Sequence, residues 1–557
     1  MIAGAQQLTY CNPVNLDYTY PFHNSHLGKS YRSGADPAVV EFRGEYYMFV
    51  TRSWGYWHST DMHQWNFIEP EKWYLQGSNA PAAFNYKDSV LYVTGDPSGS
   101  MSILYTDNPK KGDWKASHSV LYNLQDPAFF IDDDGRSYMF WGSSNKFPIR
   151  VKELQTKNKF IPVTNETIEL FNLDPENHGW ERFGENHTSD ILPFIEGPWM
   201  NKVNGKYYLQ YAAPGTQFNV YGDGVYIGET PLGPYRYAEH NPFCYKPGGF
   251  ATGAGHGSTV MGPGGQWWHF GTIHLSINFQ FERRLAYFPT FFDEDGLMYA
   301  DTYFGDYPHY SPALPQHKGA FTGWMLLSYG KPVKVSSANP EYPGSNLNDE
   351  NLKTYWVAEE NNDKQWIEID LENLQTVRAL QINYFDHEET ALWGRMPGLW
   401  HRYVVEHSED GNSWKVMIDK SRNFKDIPHD YVELNIPVKT RYIRFRNIHV
   451  PTKHLAISDI RIFGNGSDNK PARVSNFTVK RDSDKRNVHL TWEEVKEAQG
   501  YNVLWGIAPD KIYNSWMLYS GDKLEIRSLN TNQSYYFTIE AFNENGISER
   551  TEIQKIQ

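Results

Sequence analysis

Several features that define common protein classes are scarce in this 557-residue chain. It has two cysteines, Cys11 and Cys244, which excludes a disulfide framework, so its stability must come from packed cores. No apolar run approaches the roughly 18 residues of a membrane-spanning helix, and we expect no membrane span. Positive charge is also scarce: 52 Lys and Arg against 66 Asp and Glu give a formal net charge of −14. This balance argues against nucleic acid as a partner.

Helical periodicity is nearly absent between Asp36 and about residue 310. Short runs of β-branched and aromatic residues alternate there with Gly, Asn, Asp and Pro turns, which is typical of an all-β fold. Aromatic residues make up 16% of the chain. Most of them are expected to pack in sheets, where aromatic side chains fit well, and some to stack on sugars.

Five stretches of this region resemble one another. They are "ADPAVVEFRGEYYMFV", "NAPAAFNYKDSVLYVTG", "QDPAFFIDDDGRSYMFWG", "EGPWMNKVNGKYYLQYA" and "GHGSTVMGPGGQWWHFG". Each opens on a polar or small residue and continues with an apolar strand, a turn and an aromatic-rich strand. Repeats of short antiparallel strands at intervals of some tens of residues predict a β-propeller, here with five blades, over residues 1–320.

After the repeats, two further β-domains are predicted. Residues 325–465 show alternating strands typical of a jelly-roll β-sandwich, and residues 470–557 those of a small immunoglobulin-like β-sandwich. In the last domain Trp492 is the expected core tryptophan and Tyr535 the expected corner tyrosine. The polar linker "NGSDNKPARV" between the two indicates a domain boundary.

Three of the five repeats open on a carboxylate: Asp36, Asp126 and Glu196. The innermost strands of all blades line one axis, so equivalent positions in different blades converge on one end of it. For a single Asp before Pro, a turn cap is the plainer interpretation. Three carboxylates in register with no adjacent Lys or Arg favour a functional site, because buried unpaired carboxylates are costly.

The quoted motifs, together with "RRLAYFPTFFDEDG", resemble glycoside hydrolase family 43 over roughly residues 10–310. The resemblance implies a five-bladed propeller that hydrolyses glycosidic bonds with inversion. It implies that Asp36 is the general base, that Asp126 orients the acid and tunes its pKa, and that Glu196 is the general acid. Such chemistry needs a base and a proton donor far enough apart, ~6.5–9.5 Å, to admit a water molecule.

The resemblance also implies roles for residues around the trio. His256 opens the fifth repeat, where related proteins place a histidine beside a channel calcium, although a hydrogen-bonded core histidine is the alternative. Arg283 lies six residues before Pro289, at the spacing of a substrate-facing arginine, and Arg284 is the alternative for this role. The aromatic candidates for the pocket wall are Trp54, Trp73 and Trp141.

The accessory domains carry resemblances of their own. Residues 331–464 resemble a discoidin-like module, which implies a structural calcium near Asn348, Asp349, Asn351 and Thr354, since oxygen ligands suit that ion. Such modules often bind galactose-type sugars, and the nearby candidates are Trp393, Arg395, Trp400 and His401. Residues 470–557 resemble a fibronectin type III domain, which implies a spacer.

The sequence therefore predicts an exported, monomeric, exo-acting inverting glycoside hydrolase acting on plant-type glycans, with its signal peptide removed. An α-L-arabinofuranosidase is the first expectation, and a β-xylosidase or a galactofuranosidase the alternative within the family. No cofactor is expected for the chemistry. The alternative from another class is a catalytically inactive carbohydrate-binding or adhesion protein, which would not need to keep all three acids.

Overall fold

The computed structural model describes residues 8–21, 27–71, 78–96, 100–122, 124–155 and 161–557. Strands and short 3-10 turns make up all of the regular structure in these ranges. No helix within them is long and apolar enough to cross a membrane. The predicted all-β class is confirmed.

After a short strand, β1 (Thr9–Tyr10), the chain forms five antiparallel sheets, each of four consecutive strands. We call these sheets blades 1 to 5 in chain order. Blades 1 and 2 consist of β2 (Ala38–Phe42), β3 (Glu45–Phe49), β4 (Tyr56–Ser59) and β5 (Asn66–Ile68), and of β6 (Asn79–Tyr86), β7 (Val90–Asp96), β8 (Ser100–Thr106) and β9 (Lys115–Tyr122). Blades 3 and 4 consist of β10 (Ala128–Ile131), β11 (Ser137–Trp141), β12 (Ile149–Leu154) and β13 (Ile168–Phe171), and of β14 (Glu196–Val203), β15 (Lys206–Ala213), β16 (Gly222–Gly228) and β17 (Tyr235–Tyr237). Blade 5 consists of β18 (Gly253–Met261), β19 (Trp267–His274), β20 (Arg283–Phe292) and β21 (Met298–Ala300).

The blades close into a ring. The first strand of each blade lies beside the first strand of the next, and β18 of blade 5 lies beside β2 of blade 1. Separate apolar clusters fill the spaces between neighbouring blades. The five repeats in the sequence are thus the five blades of a β-propeller.

The second domain is one bent antiparallel sheet that surrounds its own apolar core. Two long strands shift register partway along, which allows them to pass from one layer to the other. The strands from the end of the propeller through this domain are β22 (His309–Tyr310), which pairs with β1, then β23 (Met325–Leu326), β24 (Val333–Val335), β25 (Trp356–Val357), β26 (Trp366–Tyr384), β27 (Arg402–Ser408), β28 (Lys415–Asp419), β29 (His429–His449) and β30 (Ala456–Asn465).

The third domain is a sandwich of a three-stranded and a five-stranded sheet. Trp492 is buried, and the Asn530 backbone N–H donates to the Tyr535 hydroxyl at 2.9 Å, the contact expected of a corner tyrosine. The strands are β31 (Thr478–Arg481), β32 (Val488–Thr491), β33 (Gly500–Ala508), β34 (Lys511–Leu518), β35 (Lys523–Ile526), β36 (Tyr535–Asn543), β37 (Gly546–Ile547) and β38 (Gln554–Ile556).

The third domain packs firmly against the propeller, which differs from the expected spacer. Arg182 of the propeller donates to the Asn487 side chain and to the Arg527 carbonyl, both at 2.6 Å. The rings of Tyr299 and Tyr513 stack with centroids 3.9 Å apart. A polar linker indicates where one domain ends, but it carries no information about which faces of the domains then meet.

Candidate functional site

One backbone turn recurs where the innermost strand of every blade begins. A residue with positive φ stands there in each blade: Asp36 (55°), Ala80 (38°), Asp126 (47°), Gly197 (60°) and His256 (45°). We call these five the mouth residues, and the end of the channel where they lie the mouth. Left-handed backbone is unfavourable for residues other than glycine, and such strain is typical of functional sites.

Glu196 does not occupy the position that the repeats predicted for it. The mouth residue of blade 4 is Gly197, so the carboxylate comes from one residue earlier than Asp36 and Asp126 do. Its Oε1 accepts a hydrogen bond from the Tyr221 hydroxyl at 2.6 Å, and its Oε2 one from the Ser143 hydroxyl at 3.2 Å. The half-buried side chain still reaches the mouth, because one of its oxygens lies within 4.8 Å of ligand atoms of Asp126 and His256.

Asp36 is 6% exposed, and both of its carboxylate oxygens accept hydrogen bonds. Its Oδ2 accepts from the Thr51 hydroxyl at 2.5 Å, and its Oδ1 accepts from the Arg283 guanidinium at 3.3 Å. Burial raises the pKa of the Asp36 carboxyl, but Arg283, His256 and the Thr51 hydroxyl together outweigh it and hold that pKa below its usual value. Asp36 is therefore ionised at neutral pH.

His256 lies between two of the acids. Its Nδ1 is 3.4 Å from Asp36 Oδ1 and 3.6 Å from Asp126 Oδ2. Burial lowers the pKa of the imidazole, but the carboxylates around it more than compensate, and the pKa lies above its usual value. When protonated, His256 neutralises part of the negative charge that the acids bring to the mouth.

A buried carboxylate beneath the mouth sets the position of His256. Asp223 Oδ1 accepts from the His256 backbone N–H at 2.8 Å, and its Oδ2 accepts from the Gly257 N–H at 3.0 Å. Asp223 Oδ2 also lies 3.1 Å from Nε2 of the buried His269. These contacts hold the left-handed turn that directs the imidazole toward Asp36 and Asp126.

A channel calcium beside His256 stays a prediction. Three residues lie together there, Asp126, Glu196 and His256, each with a ligand atom within 4.8 Å of the others. Calcium takes six to eight oxygen ligands, so the carboxylates of Asp126 and Glu196 would supply only part of its coordination. In the described residues, Nδ1 of His256 also lies within ion-pair distance of Asp36 and Asp126.

The arginine and tryptophan candidates lie in different surroundings. Arg283 contacts Asp36, while the neighbouring Arg284 faces the opposite side of strand β20. Trp54 is half-buried, three residues after Thr51, and stays a pocket-wall prediction. Trp141 is 9% exposed in the apolar cluster between blades 2 and 3, which indicates a packing role. Trp73 lies outside the described residues.

The sugar-site candidates of the second domain separate in the same way. Arg395 lies over the Phe67 ring of blade 1 at 3.3 Å, and His401 is buried, so both are used in packing. Trp400 forms an edge-to-face pair with Phe424, which is 70% exposed, with ring centroids 5.6 Å apart. This pair is a partly exposed aromatic surface of the domain. Trp393 is half-buried.

The fold and the site define a five-bladed propeller with three carboxylates, an arginine and a histidine at one mouth. Residues 31–297 match the profile of glycosyl hydrolases family 43, and residues 332–460 match that of the F5/8 type C domain. The chain thus carries a family 43 glycosyl hydrolase domain followed by an F5/8 type C domain, as the motifs predicted.

Curated relatives are similar over part of the chain. The beta-D-galactofuranosidase xynD of Aspergillus niger is 25% identical over 34% of this chain and 51% of its own length. A beta-xylosidase of Xylanibacter ruminicola is 27% identical over 23% and 43%, respectively. An arabinoxylan arabinofuranohydrolase of Bacillus subtilis is 27% identical over 31% and 35%. The chain therefore spans about half of these relatives' length or less.

Four residues of the site were not found by reading the sequence: Thr51, Ser143, Tyr221 and Asp223. Thr51 and Ser143 follow the second strands of their blades, and Tyr221 and Asp223 flank the start of β16. The repeats indicated only the residues that open the first strand of each blade. A search for polar residues at the ends of the second and third strands would have included all four.

Gly197 offers a test of the mouth geometry. A Cβ there would lie 2.6 Å from Cγ and Cδ2 of His256, and φ is +60°. Gly205, in the hairpin of the same blade, has φ of +80° and nothing within 4 Å of its would-be Cβ. We expect Gly197→Ala to cost about 1–3 kcal/mol more than Gly205→Ala, since both strain the backbone but one also displaces a packed ring. Calorimetric unfolding of the two variants measures the difference, and equal costs would contradict the contact with His256.

Proposed function

We propose that the protein is an exo-acting glycoside hydrolase that inverts the anomeric configuration, most specifically an α-L-arabinofuranosidase. The observation that carries the proposal is the convergence of Asp36, Asp126 and Glu196 on one mouth, beside Arg283 and His256. Glycoside hydrolysis uses carboxyl groups that lie close together in a cleft and whose different surroundings keep one protonated and the other ionised.

Asp36 is the general base of the proposed reaction. It is ionised, because Arg283 and His256 outweigh the effect of burial on its pKa. In that state it accepts a proton from a water molecule as the water oxygen bonds to the anomeric carbon. Since water attacks directly, no covalent sugar–enzyme bond forms and the anomeric configuration inverts.

Glu196 is the general acid. It donates its proton to the glycosidic oxygen as the bond from that oxygen to the anomeric carbon breaks, so the leaving sugar departs as an alcohol. The hydroxyls of Tyr221 and Ser143 fix the two carboxylate oxygens. One proton leaves Glu196 and one reaches Asp36, and exchange with solvent restores both.

Asp126 is the third carboxylate, and we assign it the task of orienting the acid. It sits at the same left-handed turn as Asp36, and His256 lies between the two. His256 and Arg283 are the cations that allow three carboxylates to share the mouth, because a buried charge is tolerated only when it is paired.

The choice of sugar rests on the relatives, whose names cover galactofuranosidase, xylosidase and arabinofuranohydrolase activities. A β-xylosidase or galactofuranosidase activity is the alternative within the family. A catalytically inactive carbohydrate-binding protein is the alternative of another class. Polymeric plant-type substrates would also place the protein outside the cytoplasm, which we include in the proposal.

Hydrolysis of a panel of aryl glycosides tests the proposal. The panel contains α-L-arabinofuranoside, β-D-xylopyranoside, β-D-galactofuranoside and β-D-galactopyranoside, followed by arabinan and xylan. We expect fastest release from the arabinofuranoside, with the first-formed sugar in the inverted anomeric configuration by proton NMR. Binding without hydrolysis would favour the inactive alternative, and a retained anomer would rule out Asp36 as a base that activates water.

Replacement of the proposed acid tests its role separately. Glu196→Gln removes the transferable proton but keeps the shape, so turnover of substrates with poor leaving groups should fall by ~10²-fold or more. Aryl glycosides with good leaving groups need little protonation and should be affected less. The matched control is Glu229→Gln, on the exposed turn after β16 of the same blade. An equal loss on both kinds of substrate would contradict the assignment of Glu196.

A structural calcium in the F5/8 type C domain is a second part of the proposal. Asp459 is buried, and its Oδ2 has no hydrogen-bond partner among the described residues. Burial, Glu350 and Asp349 raise the pKa of Asp459 well above its usual value. A bound calcium would neutralise the carboxylates of Asp349 and Asp459 and tie the loop that contains Thr354, whose hydroxyl donates to Asp349 at 2.7 Å, to strand β30.

Thermal unfolding with and without calcium tests this site. A ligand that binds only the folded state stabilises it by ~2.7 kcal/mol at 100 times its dissociation constant, so millimolar calcium should raise the Tm by a few degrees relative to EDTA. Asp459→Asn should abolish that response. Asp410→Asn, a turn cap of the same domain, should keep it. A Tm that is insensitive to calcium in the parent protein would exclude the site.

The remaining assignments are the fibronectin type III character of the third domain and the monomeric state. The two-sheet sandwich and its Tyr535 corner support the first. The monomer is an expectation from the sequence alone.

A further inference from the structure

Two buried arginines stand next to the site but face away from it. Arg32 precedes Asp36 by four residues, and Arg284 follows Arg283 on strand β20. Each is 1% exposed. The segment that carries Asp36 and the strand that carries Arg283 therefore each hold a second, buried charge, that of Arg32 or Arg284. Because a buried charge is costly when it is unpaired, each of these arginines needs a partner away from the mouth.

The partners of Arg32 come from the F5/8 type C domain. Its Nη1 lies 2.6 Å from Asp386 Oδ1 and its Nη2 lies 2.7 Å from Asp426 Oδ1. Asp386 follows strand β26 and Asp426 precedes strand β29. The hydroxyl of Tyr20 also donates to Asp386 Oδ1, at 2.9 Å.

Arg284 reaches the same domain through a histidine. Its Nε donates to His429 Nε2 at 2.8 Å, and its Nη1 donates to the Arg32 carbonyl at 2.6 Å. Burial and the nearby arginines lower the pKa of His429 well below its usual value, so the ring is neutral and Nε2 accepts. Its Nδ1 then donates to Asn383 Oδ1 at 2.8 Å. Arg284 thus links the segment of Arg32 to that of Arg283.

Backbone contacts reinforce the ion pairs. Tyr20 and Gly394 exchange two hydrogen bonds of 3.1 and 2.6 Å. The Ser30 N–H donates to the Glu389 carbonyl at 2.7 Å, and the Leu392 N–H donates to the Ser30 hydroxyl at 3.1 Å. The chain that leads to Asp36 is therefore fixed on both sides by a domain that begins some 300 residues later.

We propose that the F5/8 type C domain is a structural part of the active site. Asp386, Asp426 and His429 are positioning residues: they hold Arg32 and Arg284, which fix Asp36 and Arg283 relative to each other. Catalytic groups must be held to within about 0.5 Å, and buried, charge-paired supports achieve this. We call the contacts of Asp386, Asp426 and His429 with Arg32 and Arg284 the clamp. The expected effect of the clamp on catalysis rests on the proposed function, but the contacts themselves do not.

Single variants of the full-length chain test the clamp. Asp386→Asn and Asp426→Asn each remove one of the two negative charges that are paired with Arg32. Glu433→Gln is the matched control: on the same strand as His429, it accepts from the Thr9 backbone and hydroxyl at 3.0 and 2.8 Å, away from the mouth. We expect hydrogen exchange of residues 28–36 to be at least about tenfold faster in both Asp variants, and unchanged in the control.

The kinetic readout separates positioning from stability. With Asp36 less well held against Arg283, its pKa should rise, and the acid limb of kcat/KM should move to higher pH. The value of kcat should fall about tenfold with KM changed less than twofold. Asp386→Glu, which keeps the charge, should recover part of kcat and of the exchange protection, and it replaces Asp386→Asn if that variant does not fold.

The proposal would be overturned if hydrogen exchange at residues 28–36 were as slow in the two Asp variants as in the Glu433→Gln control. It would also be overturned if the acid limb of kcat/KM did not move and kcat were unchanged. A parent protein that hydrolyses no glycoside of the panel would refute the proposed function only. The exchange measurement would still decide whether the domain clamps the segment before Asp36.

Discussion

The site depends on one backbone constraint, the left-handed residue at which each blade begins its innermost strand. Each such residue other than glycine costs of order 1–3 kcal/mol, and four of the five blades accept that cost. In return, the turn directs the side chains of Asp36, Asp126 and His256 toward one another. Blade 4 is the exception: Gly197 takes the strained place, which leaves room for the imidazole of His256 and moves the carboxylate to Glu196.

Charge pairing explains how the mouth tolerates its acids. Asp36 has a lowered pKa and His256 a raised one, because each stabilises the charged form of the other. Arg283 adds the second cation from strand β20. These residues come from blades 1 and 5, which meet where the ring closes, so closure of the propeller is itself a condition for the site.

The three domains share their cores more than their order along the chain suggests. One apolar cluster combines Tyr245 of the propeller with Trp505 of the third domain, and another combines Phe304 with Phe463 and Phe542. Arg32 and Arg284 of the propeller likewise pair with polar and charged residues of the F5/8 type C domain. The two accessory domains therefore contact the propeller through shared apolar clusters, and the F5/8 type C domain also through buried ion pairs.

The sequence by itself determined the all-β class, the five blades and the identity of the acids, because strand periodicity and repeated openings are local properties of the chain. It could not determine that Gly197 replaces Glu196 at the mouth turn, since register along a bulged strand depends on the neighbouring strand. Nor could it show Asp223 beneath His256, or Asp386 and Asp426 around Arg32, which are separated by up to 394 residues. Only the tertiary structure decided those contacts, because burial, and not sequence spacing, selects which charges must pair.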